Sequence, residues 1–67
     1  MPYVNIKITN ENVSSVQKAE LISGVTDLFQ KVLNKNPQTT IVVIDEVVTD
    51  NWGIAGEQVT KLRKRGE

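Results

Sequence analysis

Chemistry has few places to start in this 67-residue chain. It contains no histidine and no cysteine, which excludes a cysteine nucleophile, a Ser–His pair, a histidine base and the usual zinc ligand sets. Asp45 and Glu46 adjoin within an apolar run. Neighbours on a strand point to opposite faces, so the two cannot act as an acid/base pair within one chain, and ion pairing is their ordinary role. The unusual group is Pro2, directly behind Met1. Cytosolic processing removes an initiator methionine when a small residue follows, and here that leaves a secondary amine on a rigid ring. An α-amino group ordinarily titrates at about 7.7–8.0. Desolvation or a nearby cation lowers that value, and a free amine near neutral pH suits proton abstraction beside a carbonyl. The plainer reading of Pro2 is a residue without an N–H opening a strand; with Met1 retained, its nitrogen is an amide.

The bulk properties narrow the class. Eight Lys and Arg balance eight Asp and Glu, so no overall field favours nucleic acid or membrane. Apolar runs reach four residues at most, and no signal peptide is visible, which leaves a cytoplasmic protein as the expectation. The length allows a single domain spanning residues 1–67. A chain this short buries only about 60% of the surface its unfolded form exposes, and it usually needs a disulfide, a metal or a partner for support. Without cysteine or histidine, oligomerisation is the remaining support.

The elements that could position Pro2 are legible from their periods. Val4, Ile6 and Ile8 alternate with Tyr3, Asn5, Lys7 and Thr9, as a strand with one apolar face requires. A polar turn follows at Asn10-Glu11-Asn12. Ser14 then stands three residues before Gln17, at capping-box spacing. Val16, Leu21, Ile22, Val25, Leu28, Phe29, Val32 and Leu33 recur at three- and four-residue steps and predict an amphipathic helix, ended by Asn34-Lys35-Asn36-Pro37. Gly24 inside it costs roughly 1 kcal/mol against alanine. Ile41–Val48 reads as a second strand apolar on both faces, the mark of burial on both sides. Strand, helix and strand make a βαβ unit with parallel strands. One helix covers one face of it, so the other face calls for something outside the chain. The two glycines in Asn51–Glu57 suit a turn or short hairpin with Trp52 at its entrance, and Gln58–Arg65 suits a short helix. The fold class is therefore α/β: a single βαβ unit with a short C-terminal hairpin and helix, completed by oligomerisation.

Taken together, "MPYVNIKI", "QKAELISGVTDLFQKVL", "VVIDEV" and the Trp-Gly-Ile-Ala-Gly-Glu segment at 52–57 resemble the 4-oxalocrotonate tautomerase family along essentially the whole chain. The resemblance implies a cofactor-free, metal-free isomerase that interconverts keto and enol forms of small 2-oxo acids such as 2-hydroxymuconate. It implies a homohexamer built as a trimer of dimers. Pro2 carries over as the general base, Trp52 as the aromatic residue that lines the site and lowers polarity near the proline, and Ile54 as part of its apolar wall. The family's arginine after the first strand falls at Asn12 or Val13 here, and a second, at the start of the second strand, falls at Ile41. Asn12 is thus expected on the substrate, while the cation for a carboxylate is sought elsewhere, with Lys7, Lys35 and Arg63 as candidates.

Two other classes compete with the enzyme. One is a non-catalytic oligomer of the same fold that has lost its substrate-binding arginines. The other is nucleic-acid binding through Lys61, Arg63, Lys64 and Arg65. Zero net charge and the absence of a basic or aromatic stripe elsewhere speak against the last, and the run reads as a charged terminus.

Overall fold

Residues 1–66 are described by a computed structural model. The alternating N-terminal stretch forms strand β1 (Tyr3–Thr9), and the doubly apolar stretch forms β2 (Ile41–Val47). The two pair in parallel, with Tyr3 opposite Ile41, Ile6 opposite Ile44 and Thr9 opposite Val47. Parallel neighbours need a long crossover, which helix α1 (Ser15–Leu33) supplies. The chain therefore has the βαβ unit that its periods predict. It closes with a two-residue-strand hairpin, β3 (Gly53–Ile54) and β4 (Glu57–Gln58), and a short helix α2 (Val59–Lys64).

Helix α1 begins where the capping box places it. The Ser14 hydroxyl accepts from the Gln17 N–H at 3.0 Å, and the Gln17 side-chain oxygen accepts from the Ser14 N–H at 2.9 Å. Two of the N–H groups that a helix start leaves unpaired are thereby satisfied. The helix stops at Asn34, which turns left-handed at φ 55° and donates its N–H to the carbonyl oxygen of Gln30 at 2.9 Å. Within the Asn34–Pro37 stretch the stop thus comes from an asparagine cap. Pro37 instead opens a 3-10 turn, Pro37–Thr39, that leads into β2.

One sheet face carries Val4, Ile6 and Ile8 beside Val42 and Ile44, all half-buried. Helix α1 lies on this side, tied to it by an ion pair between Lys18 and Glu46. The opposite face has no cover: Tyr3 is 63% exposed, Ile41 42% and Val43 37%. Along α1, Val16, Leu28, Val32 and Leu33 also remain exposed, and among the described residues Val59 alone is buried. The unit is long and thin, 45 × 25 × 15 Å, with a radius of gyration of 15.3 Å. A compact domain of this length would have a radius of gyration of about 11 Å.

The capping box is the clearest local determinant of the crossover. Ser14→Ala should lower unfolding free energy by about 1 kcal/mol in chemical denaturation, while Ser14→Asp, which keeps an acceptor, should lose much less. Equal losses in the two variants would show that the side-chain acceptor is not what starts the helix.

Candidate active site

Pro2 is half-buried at the start of β1. Its carbonyl oxygen accepts the Ile41 N–H at 3.0 Å, which fixes the residue against the first residue of β2. A proline nitrogen donates nothing to a ladder, so this position asks nothing of the nitrogen that the sheet would otherwise have used. Alternation puts the ring on the same side as Val4 and Ile6, the side that α1 covers.

Trp52, Ile54 and Asn12 lie at the other end of the sheet. Because β1 and β2 run in parallel, Pro2 sits beside Ile41, whereas Trp52 follows Val47, which pairs with Thr9. Six residue steps along a strand separate the two ends by roughly 20 Å. A 3-10 turn, Thr49–Asn51, carries the chain out of β2, and Trp52 caps it, half-buried, with its N–H donated to the Thr49 carbonyl at 3.3 Å. Val59 of α2 donates its N–H to the Trp52 carbonyl at 2.8 Å, so α2 starts against the tryptophan backbone. Ile54 stands in β3, 55% exposed. Its strand turns through Ala55 (φ 53°) and Gly56 (φ 83°), the paired positive φ values of a tight hairpin.

Asn12 belongs to the same end. The Asn10 N–H bonds to the Val47 carbonyl at 3.0 Å, and Asn12 takes φ 64°, a left-handed position that asparagine tolerates better than most residues. Arg63 of α2 pairs with Glu11 and joins this turn to the C-terminal helix. The Arg63 guanidinium, helped by a hydrogen bond from Thr9, holds the Glu11 carboxyl below its ordinary value. The structure therefore brings Asn12, Trp52 and Ile54 to one end and leaves Pro2 at the other. Within a single chain the expected contact between Trp52 and Pro2 is not made.

The charged candidates also separate. Lys7 donates to Asp45 at 2.8 Å on the open sheet face, and Asn5 Nδ2 donates to the same carboxylate oxygen at 3.2 Å and to the Tyr3 hydroxyl at 3.3 Å. Asp45 thus points to the open face and Glu46 to the helix side, as their adjacency on a strand requires. Lys35 follows the α1 cap at the Pro2 end, exposed, its backbone N–H bonded to the Phe29 carbonyl at 3.4 Å. The periodicity of the sequence carried no sign of the Glu11–Arg63 tie. Its partners are 52 residues apart, and only their opposite charge hints at it.

The Lys7–Asp45 pair sets a pH window. Hydrogen bonds from Lys7 and then Asn5 lower the Asp45 carboxyl from its ordinary 3.8, and the bond to Asp45 raises Lys7 from its ordinary 10.5. The carboxylate's contribution to stability is complete above 3.8 and is lost as pH falls through its lowered folded value. The lysine's is complete below 10.5 and is lost as pH rises through its raised one. In a carbon-13 carboxyl titration, Asp45 should titrate at higher pH in Lys7→Met than in the parent; an unmoved midpoint would remove Lys7 as the cause.

Comparison with known proteins places the chain in a family. Residues 2–62 match the family model described as tautomerase enzyme. The chain is 58% identical over 65 residues to probable tautomerase K2 of Dickeya dadantii, covering 97% of each protein. It superposes on the crystal structure of DmpI from Helicobacter pylori with a TM-score of 0.88 at 49% identity, covering 94% of this chain and 97% of that one. A heterohexamer 4-oxalocrotonate tautomerase from Chloroflexus aurantiacus matches with a TM-score of 0.83 at 25% identity, over 94% of this chain and 100% of that one. From the N-terminal proline segment to the C-terminal helix, the chain belongs to the 4-oxalocrotonate tautomerase family.

Proposed function

We propose that this protein is a keto–enol tautomerase for a small 2-oxo acid or its 2-hydroxydienoate form, with the amine of Pro2 as the general base once Met1 has been removed. The observation that carries this reading is the placement of Pro2, anchored through its carbonyl to Ile41 with a nitrogen that the sheet does not use. The amine takes the proton from the enol oxygen, electrons shift along the conjugated system to regenerate the carbonyl, and the ammonium returns the proton to carbon. No group is lost or gained, and neither a metal nor an organic cofactor is required for the balance.

The pocket in this reading is shared between copies. Pro2 and the Trp52–Ile54 segment occupy opposite ends of the sheet, so a second chain has to bring its Trp52, Ile54 and Asn12 to the first chain's proline. Two sets of exposed apolar side chains support such an assembly, Tyr3, Ile41 and Val43 on the open sheet face and Val16, Leu28, Val32 and Leu33 around α1. A homohexamer built as a trimer of dimers would use both, one for the dimer contact and one for the contact between dimers. The hexameric relative from Chloroflexus aurantiacus is consistent with that count. Trp52 and Ile54 then displace water around the amine, and desolvation favours its neutral, basic form.

The test is the intact mass of the processed protein before and after exposure to a small electrophilic acetylenic acid. The expected result is loss of the methionine mass, then one adduct per chain mapping to Pro2. A variant that retains Met1 should gain no adduct and should ketonise a 2-hydroxydienoate at least about 100-fold more slowly, the lower end of what general acid–base catalysis contributes. A processed chain that takes no adduct would leave an oligomer of this fold without a proline base.

A further inference from the structure

A 2-oxo acid is an anion, and a site made of Pro2, Trp52, Ile54 and Asn12 holds no permanent cation. The other basic side chains are spread over the unit. Lys7 is bonded to Asp45 on the open sheet face, and Lys18 to Glu46 on the helix side. Arg65 pairs with Glu57 at 2.6 Å on the hairpin. Lys31 lies in the last turn of α1, and Lys61 and Lys64 are exposed on α2.

Arg63 is placed differently. Val59 is the residue of α2 that is buried, and its N–H is bonded to the Trp52 carbonyl. Arg63 stands four residues on, about 6 Å along the axis and on the same face of the helix, so it is presented toward the protein. There its Nη2 meets Glu11, the neighbour of Asn12. One guanidinium thus spans the gap between the Trp52 segment and the Asn12 turn, both of which the proposed pocket uses. The contact occupies a single nitrogen of a fork that carries five N–H donors, and the side chain remains 50% exposed.

We propose that Arg63, oriented by Glu11, is the residue that binds a carboxylate group of the substrate and so determines preference for carboxylated substrates. This rests on the tautomerase reading for the location of the pocket. The planar fork accepts a carboxylate through two parallel hydrogen bonds, a geometry that a lysine does not reproduce. Glu11 holds the side chain in place beforehand, so less rotamer freedom is lost on binding. Lys35 is the rival, since it lies at the Pro2 end, but among the described residues no side-chain hydrogen bond orients it.

The test reads binding, which a purely structural ion pair between α2 and the turn would leave unchanged. Muconate, a stable unsaturated dicarboxylate, is titrated into the full-length oligomer by calorimetry, with the monocarboxylate sorbate alongside. Arg63→Gln keeps a donor for Glu11 but removes the charge; Arg63→Lys keeps the charge but removes the fork. Size-exclusion chromatography checks that each variant retains the parent assembly. Muconate affinity should fall roughly 10- to 100-fold in Arg63→Gln, as expected for a charged hydrogen-bonded contact, with a smaller loss in Arg63→Lys and none in Lys35→Ala. Sorbate offers one carboxylate for the same contact, so its affinity should fall in Arg63→Gln as well. An unchanged muconate affinity in Arg63→Gln, a loss in Lys35→Ala instead, or no muconate binding by the parent would each overturn the assignment. Failure of the Pro2 reading is separable: there the acetylenic acid leaves Pro2 unmodified while muconate binding still depends on Arg63.

Discussion

A sheet has two faces, and this chain owns one helix long enough to cover either. Everything else in the molecule follows from that shortage. The helix side collects Val4, Ile6, Ile8, Val42 and Ile44 in half-buried contact, and the far side leaves Tyr3, Ile41 and Val43 open. Burial of apolar surface is the main favourable term in folding, at about 25 cal/mol per Å², and a unit in which Val59 alone among the described residues is buried forgoes most of it. The elongated 45 Å shape exposes more surface than a rounded domain of the same length.

The parallel pairing has a second effect, on chemistry. Parallel strands send the first residue of each to the same end, and the loops that follow them to the other. Pro2 therefore shares its end with the α1–β2 connection, and the β1–α1 turn shares its end with the hairpin and α2. An antiparallel pair would have brought the N-terminus next to the segment after β2 within one chain. Here Pro2 is separated from Trp52 and Asn12 by the length of the sheet.

Much of this was readable beforehand. Period-2 alternation from Tyr3 to Thr9, the Ser14/Gln17 spacing and the doubly apolar run from Ile41 each encode local geometry through nearest neighbours, and the structure places β1, α1 and β2 within a residue or so of those patterns. The opposite facing of Asp45 and Glu46 was equally local. What periodicity could not show are relations between distant residues. The division of Pro2 from Trp52 follows from register and strand direction. The Glu11–Arg63 tie joins residues on either side of the entire βαβ unit. The stop at Asn34 depended on a single left-handed residue that competed successfully with the nearby Pro37 signal.

The two adjacent carboxylates of β2 have a bearing on how the chain avoids wrong company. "IVVIDEVV" carries six β-branched residues around its two charges, and without those charges it is the kind of segment that stacks into dry cross-β interfaces. In a two-stranded sheet both strands keep an unpaired edge, which leaves β2 open to wrong pairing. Asp45 points to one face and Glu46 to the other, so a stack on either side of the strand has to bury a negative charge. In the native unit each charge meets a lysine of its own, Lys7 from β1 and Lys18 from α1. The two carboxylates, whose ion pairs add little to the stability of the correct fold, thereby work against fibrous alternatives on both faces.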